Sequence, residues 1–313
     1  MNVAVIDLGT NTFNLLIFEV PEGKILYNTK IPVKLGKGGL GKRVIQPDAF
    51  SRGVEAIQMH RRTCLELGVK KIYALATSAV RTSENGADFV KAVLNTTGIT
   101  INVIDGETEA SIIYEGVKNS IRGMVNQKFL IMDIGGGSTE FILADPAQLL
   151  WKKSYPIGGS RLIEMFKPAD PPEADELGAI RQYLRDELED LFEVCAHHKP
   201  QILVGSSGSF DTFAQILAFK QKIYDKPGNG FILPVSDLLE LIHQLIRENE
   251  QFRLQIPGME SMRADTIHMS ALQLEMVLLN VSVPTVMLST FALKEGVMYQ
   301  ILNNQCPWQE SLL

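Results

Sequence analysis

Two short loops in this sequence place an aspartate, glycines and hydroxyl side chains in the same order. Asp7 ends an apolar run and precedes the first loop, whereas Asp133 ends a second apolar run and precedes three successive glycines. Glycine lets a ligand approach the main chain closely, and successive amides and hydroxyls can form a concave anion site. One such loop would equally suit an ordinary hairpin turn, but two in one chain favour phosphate binding. The residues predicted to bind phosphate are Gly9, Thr10, Asn11, Thr12, Gly135, Gly136, Gly137, Ser138 and Thr139.

The carboxylates of these loops are candidate metal ligands. Asp7 lies at a strand end, where it could hold magnesium directly or through water, because magnesium prefers hard oxygen ligands. Asp133 repeats this position, and Glu140 at the far end of the second loop could serve the metal or orient a water molecule. We therefore expect Mg²⁺ as the cofactor, with Mn²⁺ as an alternative metal.

Two further carboxylates follow Gly106 at the predicted start of a helix. Glu107 and Glu109 lie in the first turn, where the helix dipole stabilises negative charge, and this alone could explain them. Beside two phosphate loops, one of them becomes a candidate general base for an attacking water molecule.

Two other signals point to anion binding, although each is weak when taken alone. Arg81 could present a bidentate guanidinium group to phosphate oxygens. The glycine–serine turn at 205–209 leads from a strand into a helix, whose first amides favour anions. Gly208 and Ser209 of this turn are therefore added to the predicted phosphate-binding residues.

Composition and charge exclude several classes of protein. The net charge of −6 over 313 residues argues against general nucleic-acid binding. No apolar run reaches the roughly 20 residues of a membrane span. The first residues form a strand-like run without a preceding basic region, so we expect no signal peptide and a cytoplasmic protein.

One segment departs from this acidic average. Residues 24–47 contain six bases and no acid. Such a stretch could hold an anion, or it could be a solvated mobile loop. The composition leaves both interpretations open.

The recurrence of the loop predicts the architecture. Strand, loop and returning strand occur twice, with the two aspartates 133 − 7 = 126 positions apart, about one domain length. Strands alternate with helices elsewhere, which indicates α/β layers. We predict two similar lobes, 1–124 and 125–313, with a C-terminal helix in 291–313 that packs back near the first lobe. Strands are predicted at 3–7, 14–20, 71–77, 101–104, 129–133, 140–143, 201–204 and 285–288, and helices at 47–67, 85–96, 108–117, 173–196, 210–219, 236–249, 263–279 and 291–302.

These residues resemble the exopolyphosphatase/guanosine pentaphosphate phosphohydrolase family, in its short two-domain form. The two phosphate loops, 4–12 and 133–140, are the highly specific parts of the match. The resemblance runs over nearly the whole chain and includes the strings at 76–81, 106–110, 158–162, 263–265 and 293–296.

The resemblance implies an actin-like, sugar-kinase and Hsp70 superfamily fold, with two ribonuclease H-like lobes around an interdomain cleft that holds magnesium and a terminal phosphate. The family's catalytic base falls on Glu109, and Glu140 closes the second loop as a catalytic residue. Arg81 falls on a phosphate contact. The sequence departs from the family pattern at Asn14 and Lys294, where basic residues and arginine are usual. The additional helical C-terminal module of the long family members is expected to be absent.

The implied activity is hydrolysis of a terminal phosphoanhydride bond, in inorganic polyphosphate or guanosine pentaphosphate. Water would attack the terminal phosphoryl group with Glu109 as base, and magnesium would lie on Asp133 and Glu140 with Asp7 nearby. Two other functions stay open: a kinase-like ATPase of the same fold, and a non-catalytic sensor of guanosine tetra- or pentaphosphate. We expect no nucleic-acid or membrane partner, and a homodimer is left open.

Overall fold

The computed structural model describes residues 1–313 and contains two six-stranded sheets. The strands in chain order are β1 (Asn2–Leu8), β2 (Thr12–Glu19), β3 (Ile25–Pro32), β4 (Lys71–Ala76), β5 (Ile101–Val103), β6 (Phe129–Ile134), β7 (Thr139–Ala144), β8 (Leu149–Tyr155), β9 (Ile202–Ser206), β10 (Ile232–Leu233), β11 (Thr285–Leu288) and β12 (Ser311–Leu312).

Twelve α-helices connect these strands. They are α1 (Pro47–Glu66), α2 (Ser78–Arg81), α3 (Gly86–Thr97), α4 (Gly106–Ser120), α5 (Gly159–Phe166), α6 (Ala174–Glu187), α7 (Glu189–His198), α8 (Ser207–Lys220), α9 (Val235–Arg247), α10 (Glu250–Arg253), α11 (Ile267–Asn280) and α12 (Leu293–Leu302). No helix combines the length and the apolar content needed to cross a bilayer.

The chain divides into two compact units. The first unit contains residues Met1–Gly116 and Ala292–Leu313, and the second contains Val117–Phe291. The domain boundaries derived above from the sequence stay a prediction.

Both sheets follow the same scheme. In the first unit, β1, β2 and β3 form an antiparallel meander, β4 pairs parallel with β1, and β5 pairs parallel with β4. In the second unit, β6, β7 and β8 form the meander, β9 pairs parallel with β6, and β11 pairs parallel with β9. The short strands β12 and β10 add antiparallel partners to β4 and β11. The prediction of an α/β protein with two similar ribonuclease H-like lobes is confirmed.

The central strands explain why each lobe has its own core. All six residues of both β6 and β7 are buried, as expected for strands covered on both faces. Helices then cover these sheets with apolar faces, and each sheet anchors a separate cluster of buried side chains. The meander thus fixes the ends of β1 and β6, where the two aspartates lie.

The structure also corrects several element predictions. The helix predicted at 173–196 is two helices that meet at Leu188, whose backbone leaves the helical region. Strands β3 and β8 were not predicted, because both are edge strands with mostly exposed or half-buried residues and their sequences lack a clear apolar alternation. The helix predicted at 263–279 begins only at Ile267, after a short 3-10 turn.

The second unit contains a buried cation, Arg253, with its own set of partners. Arg253 is fully buried, and its guanidinium pairs with Asp170 at 2.8 Å and donates to the Ala264 carbonyl at 2.8 Å. His268 is buried nearby, and its Nδ1 atom has no hydrogen-bond partner. Burial, together with the charge of Arg253, lowers the pKa of His268 to about 4.

This shift predicts a loss of stability in mild acid. Between the unfolded pKa of about 6.5 and the folded value, the unfolded chain binds a proton that the folded chain excludes. The free energy of unfolding should therefore fall by about 1.4 kcal/mol per pH unit as the pH drops from 6.5 towards 4. His268→Gln should make this slope shallower in urea unfolding at pH 7, 6 and 5. The exposed residue His197 offers the control, since His197→Gln should keep the wild-type slope; an unchanged slope in His268→Gln would contradict the prediction.

Candidate functional site

The first loop is a tight turn whose carbonyls are held from one side. The Gly9 amide donates to the Thr12 carbonyl at 3.1 Å. The Asn11 carbonyl accepts from the amides of residues 33 and 34, and the Thr10 carbonyl accepts from the amide of residue 36. In a trans peptide the carbonyl and the next amide point in opposite directions. The amides of Asn11 and Thr12 therefore point away from residues 33–36.

The second loop has the same turn and a firmer support. The Gly135 amide donates to the Ser138 carbonyl at 3.0 Å, as in the first loop. Behind the loop, the Gly159 amide donates to the Gly135 carbonyl and the Arg161 amide donates to the Gly136 carbonyl. The Nε atom of Arg161 also donates to the Gly137 carbonyl at 2.7 Å.

Three successive anchored carbonyls set the direction of three amides. By the same peptide geometry, the amides of Gly136, Gly137 and Ser138 point away from the support at 159–161. Glycine at position 158 permits this close contact, because a β carbon there would lie 2.5 Å from the Gly137 nitrogen. Successive amides on one side of a loop form an anion-binding nest.

A row of polar side chains crosses the sheet of the second unit beside this loop. Asp133 pairs directly with Glu140 on the neighbouring strand, and directly paired residues share a face of the sheet. Ser206 and Ser154 extend the row on the two outer sides. The Ser154 hydroxyl donates to Glu140 at 2.7 Å, and the Ser206 hydroxyl donates to Asp133 at 2.7 Å. Both carboxylates are more than 90% buried, so these hydroxyls stabilise charge that water reaches poorly.

The corresponding row of the first unit has a different charge. Asp7 pairs with Asn14, whose Nδ2 atom donates to the aspartate at 2.9 Å. Asn14 in turn pairs with Lys30 on β3. The first row therefore combines one acid with one base, where the second row combines two acids.

Asp133 and Glu140 fit the predicted magnesium site. Magnesium is commonly held by one or two carboxylates, with waters and substrate phosphates completing its shell, and two adjacent buried carboxylates supply such a donor set. No group of three or more potential ligands among histidine, cysteine, aspartate and glutamate occurs in the structure. Asp7 belongs to the other unit, and its role as a ligand stays a prediction.

Glu109 and Arg81 form an ion pair inside the first unit. The Arg81 Nη1 atom lies 2.8 Å from Glu109 Oε2 and also donates to the Ile104 carbonyl at 2.9 Å. The Glu109 side chain is only 9% exposed, whereas Glu107 beside it is exposed to solvent. Asp105 caps this helix, because its carboxylate accepts from the Thr108 amide at 2.7 Å. That hydrogen bond is the main cause of the lowered pKa of Asp105.

The glycine–serine turn of the second unit converges on Asp133. The Ser207 hydroxyl donates to Asp133 at 2.7 Å, from a residue in the left-handed region at φ 66°. Strained backbone of this kind is concentrated at functional sites. A β carbon at Gly208 would lie 1.7 Å from the Arg263 guanidinium, so only glycine lets that cation cover the start of α8.

Some predicted phosphate ligands have their side chains engaged elsewhere. Thr139 is fully buried, and its hydroxyl donates to Gln273 at 2.6 Å. The Ser209 hydroxyl donates to Ser270 at 3.1 Å. The Thr139 amide also faces β8, where Thr139 pairs with Tyr155, so only Ser209, in the first turn of α8, keeps a backbone amide that could serve an anion.

Sequence reasoning missed Ser154 and Arg263, and it did not predict that Ser206 and Ser207 of the glycine–serine turn bond Asp133. Asp133 accepts hydrogen bonds from the hydroxyls of Ser206 and Ser207, and Glu140 accepts one from Ser154. The Arg263 guanidinium lies over Gly208. Arg263 was seen only as part of a family string. The register of β7 and β8 places Ser154, and no local motif marks it.

Comparison with known proteins gives consistent results. The model of the Ppx/GppA phosphatase family matches residues 16–305. Exopolyphosphatase 1 of Mycobacterium leprae is 27% identical over 309 residues, which cover 97% of this chain and 91% of that protein. The crystal structure of an exopolyphosphatase from Cytophaga hutchinsonii superposes with a TM-score of 0.92 at 35% identity, covering 97% of this chain and 98% of the other.

A Ppx/GppA family member from Aquifex aeolicus shares the fold. Its TM-score is 0.78 at 24% identity, over 97% of this chain and 98% of the other. These similarities confirm the predicted actin-like class.

The support behind the second loop yields a prediction. Gly158→Ala should displace the Gly136–Gly137 peptide and weaken binding of inorganic phosphate about tenfold, because each amide bond to a charged ligand contributes roughly 1.5–3 kcal/mol. Isothermal titration calorimetry would measure this. Gly228→Ala is the control, since a β carbon there meets nothing within 4 Å. Equal phosphate affinity in both variants would show that the loop amides do not bind the anion.

Proposed function

This chain belongs to the Ppx/GppA phosphatase family, and we propose that it is a metal-dependent exopolyphosphatase that releases the terminal phosphate of inorganic polyphosphate. The names of two similar proteins, both exopolyphosphatases, support polyphosphate as the substrate. Guanosine pentaphosphate ends in the same phosphoanhydride bond, and it is the second substrate to be tested.

The observation that carries this proposal is the pair Asp133 and Glu140 beside the amide nest of the second loop. Two acids next to an anion site would repel a phosphate unless a cation lay between them and the phosphate oxygens. Magnesium bound there would neutralise those oxygens and so favour attack of water on the phosphorus. Gly136, Gly137 and Ser138 would donate their amides to the phosphoryl group as its charge shifts in the transition state.

Glu109 is proposed as the general base. A base must hold its carboxylate in one orientation, and the ion pair with Arg81 does so in a poorly solvated setting. Glu109 would take a proton from water as the water oxygen bonds to the terminal phosphorus. The bond from that phosphorus to the bridging oxygen would break, and the shortened chain would leave with the electron pair.

The two other functions considered from the sequence have less support. A sensor of guanosine nucleotides has no need for a buried acid pair with hydroxyl partners. A kinase of this fold would need an acceptor and an adenosine site. The start of α8, where a nucleotide could lie, is instead covered by Arg263.

Replacement of the base is the sharpest test. Glu109→Gln should lower phosphate release from polyphosphate at least about 100-fold, because general-base catalysis contributes 10²- to 10⁴-fold. Polyphosphate binding, measured by calorimetry, should persist. Phosphate release can be followed colorimetrically with polyphosphate and with guanosine pentaphosphate.

Glu107→Gln is the matched control in the same helical turn, and it should retain most activity because Glu107 is exposed. If Glu107→Gln were the inactive variant, the base would be misassigned. Nucleotide-dependent phosphorylation of an acceptor, without phosphate release, would show that the protein is a kinase and not a hydrolase.

The metal requirement gives a separate prediction. Removal of divalent ions with a chelator should abolish phosphate release, and Mg²⁺ or Mn²⁺ should restore it. Asp133→Asn should raise the Mg²⁺ concentration for half-maximal rate at least about tenfold, because it removes one of two charged ligands. The exposed Asp186→Asn on α6 should leave that concentration unchanged. Full activity in the presence of chelator would rule out the metal-dependent mechanism.

A further inference from the structure

The basic stretch of the first unit folds into a defined surface. We call residues 33–45, which follow β3, the basic turn. It carries the four bases Lys34, Lys37, Lys42 and Arg43 and no acid. Of the other two bases in the stretch, Lys30 lies on β3 and Lys24 lies at the far end of that strand.

The basic turn is attached at both ends to elements that carry predicted site residues. Its beginning donates amides to the carbonyls of Thr10 and Asn11 in the first phosphate loop. Its end bonds to the segment directly after Arg81: the Asn85 side chain bonds both backbone groups of Ile45, at 2.8 and 2.9 Å. The Arg43 carbonyl accepts from the amide of residue 84 at 2.7 Å. The turn therefore spans from the phosphate loop to the Arg81 segment.

Packing holds this turn in one shape. Its apolar residues Val33, Leu35, Leu40 and Ile45 are buried, whereas Lys37, Lys42 and Arg43 are exposed. A β carbon at Gly36 would lie 2.6 Å from Thr10, so the turn lies directly against the loop. The bases are thus presented on an ordered backbone, contrary to the mobile-loop interpretation.

The second unit has no such surface at the corresponding place. There the chain after β8 enters α5, which supports its loop with one arginine and also carries Glu164. The concentration of bases is therefore specific to the first unit, and support of the loop does not explain it.

We propose that the basic turn binds the phosphates of a linear polyphosphate that lie behind the terminal group. Each internal phosphate carries negative charge, and several bases in a segment that contains no acid attract such a chain. Tripolyphosphate has only two phosphates behind its terminal group, so its binding should depend less on this surface. This inference rests on the proposed function for its substrate, while the binding itself does not require turnover.

The test compares two triple variants with the same change in net charge. Lys37→Gln, Lys42→Gln and Arg43→Gln together remove the exposed bases of the turn. The control combines Lys24→Gln, Lys70→Gln and Lys91→Gln, which are exposed residues of the first unit outside the turn. Binding of polyphosphate of about 100 phosphates is measured by calorimetry with chelator present, and KM is measured with magnesium for this substrate and for tripolyphosphate.

The turn variant should bind the long chain about tenfold more weakly, because each exposed ion pair contributes a modest part. The KM of this variant for the long chain should also rise about tenfold, and its affinity for the long chain should depend less steeply on salt concentration. Tripolyphosphate kinetics should change less than about twofold. Lys37→Gln alone should show a smaller effect in the same direction if the triple variant unfolds.

Three outcomes would overturn the inference: unchanged long-chain binding in the turn variant, equal weakening in the control, or equal loss with tripolyphosphate. Absence of hydrolysis in the wild-type protein would reject the proposed function alone. The binding comparison in chelator would still decide the role of the turn.

Discussion

A backbone anion site depends on where its carbonyls point. Peptide planarity couples each amide to the preceding carbonyl, so a loop can turn several amides outward only if something binds the carbonyls behind it. Here that support comes from the chain just after the third strand of each meander: residues 33–36 in the first unit and 158–161 in the second. The glycines of both supports permit the necessary contact. The phosphate loops are therefore products of the whole meander and its exit.

The two units use this device with different charges. In the second, Asp133 and Glu140 lie side by side with serine hydroxyls, which suits a cation. In the first, Asn14 stands at the position equivalent to Glu140, and Lys30 extends the row. The repeated backbone thus carries one row with two acids and one row in which a base balances the acid. Relatives usually carry a basic residue where this chain has Asn14. Here Lys30 on β3 supplies a base to the same row instead.

Repetition made much of this fold predictable. The strand–loop–strand unit is local in sequence, so its residue types, spacing and internal repeat indicated two α/β lobes and both loops. The break at Leu188 was not predictable, because apolar residues continue across it and only the backbone turns. Ser154 and Arg263 were missed for a related reason: strand register and a distant 3-10 turn place them, and neither leaves a local pattern. The pairing of Glu109 with Arg81 likewise joins residues 28 positions apart.

The discontinuous first unit bears on the order in which the protein is built during synthesis. Helix α12 packs main chain to main chain on α4, since a β carbon at Gly296 would lie 1.9 Å from the Ile112 carbonyl oxygen. Glu310 bonds Lys71 and Tyr73 next to β12. These partners follow the whole continuous second unit in the chain, so they leave the ribosome after it. The first unit is therefore completed only after the second has been made, and until then Lys71 and Ile72 of β4 lack their β12 partner.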